Sequence, residues 1–442
     1  ATGSDAQTGT VAVGGFALDA NTSAPNNVAI GYDALTANTD GSQNTVVGKG
    51  AMASNTSGGD NCAFGFSAMG SATNTGSGRN NAFGYEAIQS LTTGTQNNAI
   101  GFQAGANLTT GSFNQVMGAE AMENSTTASG CVAIGHDTLR QNNTAYNTAV
   151  GHQALTSNTD GARNVAVGAY ALDGCTTSSD NTAVGYQALG GACTGVDNAA
   201  FGSGAGLNIS TGAENTAIGS GALDACTSSP KNTAVGRMAL TTLTTGSGRN
   251  TCVGYYAGGS MTTGTLNTAV GYHSMNNGAG GDQNTAVGME SLRDCTTGTV
   301  NTAIGRSAGE QITTGSNNSF IGRNAGRSGS PGGEINSGSN NFILGDANIN
   351  ALFCADTSIS SSDARDKTDV TDFTKGLDWI KALRPITYRW DKRAWYGSEI
   401  EGAEDEFMGT PDGSKKRSQL HIGFLAQEAL AVEQANGYGS SN

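Results

Sequence analysis

Asn181-Thr182-Ala183-Val184-Gly185-Tyr186-Gln187-Ala188-Leu189 decides the fold. Asn-x-Ala-Val alternates with a period of two, the signature of a short strand. Gly185 then lets the chain turn or approach a neighbour closely. Outward from this stretch the pattern recurs along most of the chain. A Gly preceded by an apolar residue stands at 20 places from Gly14 to Gly345. Most steps are 17 residues; the exceptions are 16, 18, 19 and a last step of 23. Other columns keep register with that Gly. Two places before it stands Ala in 15 copies, and one place before it the residue is always apolar. Three places after it the residue is small in all but the last copy, and four after it Leu, Met, Ile or Gly stands in every copy.

One such unit cannot bury its own apolar face, whereas stacked units can. The expected fold is all-β, a parallel β-roll or β-solenoid of about 20 repeats of 17 residues. Each unit should hold one strand before the Gly, a second short strand after it, and a Thr/Gly/Ser/Asn turn. Stacked at the strand spacing of about 4.8 Å, 20 coils make a rod roughly 90–95 Å long. A compensation favours this reading. At Gly105, Gly206, Gly258 and Gly309, each four after the repeat Gly, an apolar residue stands three places later: Leu108, Ile209, Met261, Ile312. A disordered chain has no use for such an exchange.

Four places before the Gly stands Asn in 18 of 20 copies, with Thr10 and Cys131 as exceptions. Asn27, Asn44, Asn61, Asn181, Asn215, Asn232, Asn267, Asn284 and Asn301 belong to this column. Asn both donates and accepts hydrogen bonds, so stacked copies fit a structural ladder that also satisfies turn backbone. A ligand-contacting stripe is the functional alternative.

Composition bounds the function. Of 442 residues, 67 are Gly and 5 Pro; 36% are hydrophobic, below the globular share of roughly 45–50%. The net charge of −14 disfavours nucleic acid and anionic membrane surfaces as partners. No run of 18 apolar residues supports membrane insertion. The chain opens at Ala1 rather than Met, so a preceding segment is expected. Eight Cys stand at 62, 131, 175, 193, 226, 252, 295 and 354, without a CxxC spacing. Cys175, Cys226 and Cys295 share a column with Leu91, Leu243 and Met261, which reads as small buried hydrophobes. Cys175 and Cys193 fall on successive turns, offset by one residue. Free thiols fit assembly in a reducing cytoplasm. The four His form no ligand spacing, so no metal and no cofactor are expected.

Charge and Trp divide the chain. Residues 362–442 hold 25 of the 58 charged side chains and all three Trp. The expected organisation is a repetitive body over 1–349, a connector over 350–361, and a small α+β domain over 362–442. That domain reads as a helix over 376–383, strands at 386–390 and 421–424, and a helix over 425–434.

The units resemble the head repeats of trimeric autotransporter adhesins, most closely at Asn26-Asn27-Val28-Ala29-Ile30-Gly31. That resemblance covers about residues 10–345 and implies a left-handed roll with three chains side by side; periodicity alone equally allows a single-chain β-helix. The C-terminal part resembles the intramolecular chaperone domain of phage endosialidases and tail fibres. Three ordered motifs carry it: Ser362-Asp363-Ala364-Arg365-Asp366-Lys367, then Gly376-Leu377 through Tyr388 and Trp390, then Gly423-Phe424-Leu425-Ala426-Gln427-Glu428. In that family the domain promotes trimerisation and then cuts itself off. Ser362 and Lys367 occupy the positions of the family's Ser–Lys dyad, which implies a cut between Ser361 and Ser362. Asp363 is placed to position the backbone or the dyad. By residue type alone, Ser362 and Asp363 read as a helix cap. A final helical part is expected beyond Asn442.

These readings together imply a homotrimeric phage tail fibre, assembled in the host cytoplasm and carried on the virion. Its partners would be a host-surface glycan or protein receptor and other tail proteins. At most one self-cleavage per chain is expected, with no turnover enzyme. A glycan-degrading tailspike needs paired carboxylates across a groove, and the repeats are poor in Asp and Glu. A bacterial surface adhesin would carry a coiled coil and membrane barrel where the chaperone motifs stand.

Overall fold

The computed structural model describes residues 8–73, 78–278 and 280–349, and beyond them 382–388, 418, 421–423 and 425–435. The chain divides into two compact units, Ala1–Leu352 and Phe353–Asn442.

The first unit is a parallel β-solenoid. Twenty strands of three residues run from β1 (Val11–Val13) to β20 (Phe342–Leu344). Each pairs in parallel with the next in sequence, so Val11 lies against Val28 and Thr182 against Ala199. The register advances by one repeat per coil, and the Gly columns stack. The small residue of each strand points inward. Ala29, Ala183 and Ala303 are fully buried, as are the larger Val46, Cys252 and Phe320 in the same column. Leu, Met and Ile from the far side of the coil, such as Leu35, Met122 and Leu172, fill the core opposite them.

The Gly column is fixed by two constraints at once. Gly31 has φ +140°, and a Cβ there would lie 2.4 Å from the carbonyl oxygen of Gly48 in the next coil. Neither the conformation nor the space admits a side chain.

The second short strand expected after each Gly is absent among the described residues. Turns replace it. The residues two and four after the Gly sit in the left-handed region, as at Asp33 (φ 58°) and Leu35 (φ 55°). Strand backbone keeps φ negative throughout, so these segments cannot pleat. They still bond from coil to coil: Leu35 N–H donates to Ala51 O at 2.9 Å, and Asp33 N–H to Gly15 O at 3.0 Å. The left-handed turn aims Leu35 and its equivalents inward, where burial offsets its conformational cost. It also explains Gly105, Gly206, Gly258 and Gly309 at this position, since all four have φ near +60°.

In the second unit, β21 (Ile386–Tyr388) and β22 (His421–Gly423) pair antiparallel, and α1 covers Ala426–Ala435. Arg384, just before β21, holds Glu428 of α1 through two hydrogen bonds of 3.1 and 2.6 Å. The helix expected over 376–383 lies outside the described residues except at its end.

Candidate functional site

All nine Asn named above are buried in one column just ahead of the strands. Asn44 shows the geometry. Its Nδ2 donates to Asn27 Oδ1 at 3.2 Å and to Gly58 O at 2.9 Å. Its Oδ1 accepts from Asn61 N–H at 3.1 Å and from Asn61 Nδ2 at 3.3 Å. An Asn side chain has two donors and two acceptor sites, and here all four are used. The pattern recurs at Asn215, Asn232 and Asn301. These amides face the interior and are committed to their neighbours, which leaves nothing for a ligand.

At Cys131 the column loses its amide. Asn142, from the position seven after the Gly, supplies the missing acceptor: its Oδ1 accepts from Asn147 Nδ2 at 2.9 Å and from Asn158 Nδ2 at 2.7 Å. A second set of buried Asn occupies that position at Asn38, Asn55, Asn142 and Asn158. Asn55 Nδ2 donates to Asn38 Oδ1 at 3.0 Å. Sequence reading missed this set because the same position elsewhere holds Leu, Ile or Cys. Core space there is filled in two chemically different ways.

Three further columns face outward. The apolar residue ahead of each Gly lies on the outer face of the strands. Ile30, Phe83, Ile100, Met117, Phe201 and Ile304 are all exposed there. The residue after the Gly carries rings over part of the rod: Phe66, Tyr85 and Phe102 stack with centroids 5.2 Å apart. Each covers its neighbour's face and shows solvent its edge. The third column lies one residue before the Asn ladder, at a corner of the coil. All twenty corner residues have φ between 50° and 74°, from Gly9 to Asn340.

Charge is placed in cross-coil clusters. Arg140 reaches Glu123 at 2.6 Å, Glu120 at 3.1 Å and Asp137 at 3.4 Å. The hydrogen bond to Glu123 and the surrounding carboxylates raise the pKa of its guanidinium. Buried Glu310 lies between Arg293 and Arg327. Arg293 holds the Asp294 carboxyl below the usual carboxylate range, chiefly through a direct hydrogen bond. The carboxylates of these clusters are thereby committed to guanidinium partners.

The described cysteines are free, and all but half-buried Cys62 lie in the interior. Burial pushes the Cys226 and Cys295 thiols up to about 11 and that of Cys252 to about 12. The Cys175 thiol is also pushed up, by its hydrogen bond with Cys193 and then by burial.

Ser361, Ser362, Asp363 and Lys367 lie outside the described residues. A family comparison covers the last three. Residues 362–438 match the family described as Chaperone of endosialidase. The C-terminal module is a chaperone-of-endosialidase domain. The match opens at Ser362, the first residue of the Ser-Asp-x-Arg-x-Lys motif. β21, β22 and α1 all fall within this chaperone domain. No curated protein and no solved structure matches the chain.

Proposed function

We propose that this chain is the body of a phage tail fibre, a homotrimer that binds a receptor on the host surface. The observation that carries the reading is the order of parts: a long β-solenoid followed by a chaperone-of-endosialidase domain from residue 362. A rod of this kind is a spacer that presents side chains along its length. Its chaperone assists the joining of three chains and is then released.

The outer strand face supports three-chain packing. Apolar side chains, exposed or half-buried, form a continuous row from Val13 to Ile304, far longer than a monomer's surface tolerates in water. Its neighbour on the strand, three places before the Gly, is half-buried and mostly small, as at Thr182, Ala199 and Thr216. Such a face packs flat against a copy of itself. Free interior thiols support assembly in the reducing host cytoplasm before the fibre joins other tail proteins on the virion.

Release follows from acyl chemistry at the Ser361–Ser362 bond. A neutral Lys367 amine takes the Ser362 hydroxyl proton, and Oγ attacks the Ser361 carbonyl carbon. The C–N bond breaks as Lys367 returns its proton to the leaving nitrogen. Water then hydrolyses the Ser361 ester. Asp363 positions the reacting groups. Lys367 must be desolvated to be neutral near pH 7.

Two measurements test this reading. Wild-type chain should run as a shortened body plus a fragment beginning at Ser362, whereas Ser362→Ala should give one full-length band. Light scattering of the body should return three chains; a stable monomer would sink the fibre reading.

A further inference from the structure

The corner column follows no compositional rule. It holds Asn26, Arg79, Phe113, Gly130, Lys231 and Val300 in structurally equivalent places. Every one of the twenty adopts the left-handed conformation. Gly and Asn take it at little cost, while bulky and β-branched residues are strained there. Where folding alone sets such a position, Gly, Asn and Asp should fill it. Phe113 and Tyr146 do the opposite: both are strained, and they are 57% and 69% exposed. Backbone preference accounts for neither, and Leu266 and Val300 are also strained and exposed at corners, so strain alone does not single out a site; Phe113 and Tyr146 are the two aromatic residues of the column.

We propose that Phe113, Gly130 and Tyr146 form a binding site for a hexose unit of a neutral host-surface glycan. This rests on the receptor-binding reading above and names the site and ligand class. The three residues occupy successive corners. Phe113 and Tyr146 are two coils apart, about 10 Å along the rod. Gly130 between them has no side chain, and the Tyr146 ring leans over it: an added Cβ would lie 3.0 Å from that ring. The result is a notch with an aromatic ring at each end.

The chemistry of the notch selects a sugar. A pyranose ring presents C–H bonds on its faces and hydroxyls around its rim. The electron-rich faces of Phe and Tyr suit the first. Unlike the Phe66–Tyr85–Phe102 run, Phe113 and Tyr146 stack on no other ring among the described residues. The Tyr146 hydroxyl, which both donates and accepts, suits the rim. The next corner, Arg163, is held by Asp180 through bonds of 2.6 and 2.7 Å, so no uncommitted charge calls for an acidic sugar.

The test uses the full chain with Phe113→Asn and Tyr146→Asn combined. Asn suits a left-handed corner, so the coil is retained. Wild-type fibre is read on a printed array of neutral hexose and N-acetylhexosamine oligosaccharides beside sialylated and uronic ones, and on a panel of bacterial cells. The expected result is binding to neutral glycans that falls about tenfold or more in the double variant. Melting temperature stays equal or rises, chain number stays the same, and Gln283→Asn at another corner leaves glycan binding unchanged. Undiminished glycan binding by the double variant overturns the site. So does a preference for acidic sugars, or loss of chain association, which would make the corner a contact between chains. If cells still adsorb the variant fully, the site falls while the receptor reading stands. If wild type adsorbs to no cell, both fall.

Discussion

Two columns run side by side along the rod, one residue apart, and obey opposite rules. Asn215 is buried and its amide makes every hydrogen bond it can. Glu214 beside it points into water from a left-handed corner and pairs with Lys231 at 3.5 Å. The first column is dictated by stacking, because each copy completes the next. Residues of the second pair across coils in places, as Glu214 with Lys231 and Arg163 with Asp180, but share no residue type, so the column is available to whatever the rod presents. In a solenoid, what the fold requires and what it displays are thus separated residue by residue along each coil. They need not occupy different domains.

The comparison breaks first at the ladder. Asn215→Asp keeps an oxygen for Asn232. It also turns the second oxygen toward Asn198 Oδ1 and Ser229 O, where donors stood 3.2 and 3.1 Å away. A buried, uncompensated charge of this kind should cost about 4 kcal/mol, and Asn215→Ala about 2–3 kcal/mol from stranded partners. Coils depend on their neighbours, so hydrogen exchange should show loss centred on the coils at 198–232. Glu214→Ala, one residue away, should stay near the roughly 0–1 kcal/mol of an exposed ion pair, apart from its corner strain. Equal effects at 214 and 215 would erase the distinction.

A third column sharpens it. Gly185→Ala places a Cβ 2.5 Å from Gly202 O at φ +137°. Strain and close contact together should cost about 3 kcal/mol in a denaturation midpoint. That would place the Gly with the ladder among the required positions.

The core cysteines extend the contrast to pH. Burial raises the Cys226 and Cys295 thiols from 9.0 to about 11. The folded chain therefore keeps protons that the unfolded chain releases. Their stabilising contribution is full below pH 9 and declines as pH rises from there toward 11. The loss should be on the order of 2 kcal/mol by pH 11 for each thiol. Cys226→Ala should melt lower at pH 7 and show a shallower decline from pH 9 to 11. An unchanged alkaline slope would remove the thiol from this account.

Legibility followed chemistry that repeats. The Gly register, the Asn column and the inward Ala were visible because stacking demands the same group in every coil. The start of the chaperone domain was visible because three motifs occur in order around Ser362, Tyr388 and Gly423. The turn side of the coil was misread as a strand. Leu35 and Met122 are poor residues for a left-handed conformation, and only their burial accounts for it. The exchange between Asn142 and the main ladder was hidden because it is a spatial repair of one missing amide at Cys131. The corner column was overlooked because its signal is the lack of a rule.

That lack of a rule gives the smallest effect and the most discriminating one. Gln283 is exposed, has φ 59° and lies at a corner. Gln283→Asn exchanges a residue that resists this conformation for one that accepts it. The rod should gain about 0.5–1 kcal/mol, read as a slightly higher melting temperature. The same substitution at Val300, where branching adds strain, should gain at least as much. Moved one residue on, the logic reverses: Asn284→Gln lengthens an amide whose Nδ2 donates to Gly298 O at 2.9 Å and should destabilise the rod. A gain at 283 with a loss at 284 would show that one conformational rule and one hydrogen-bonding rule act on adjacent residues. A loss at both would mean that the corner, too, belongs to the fold.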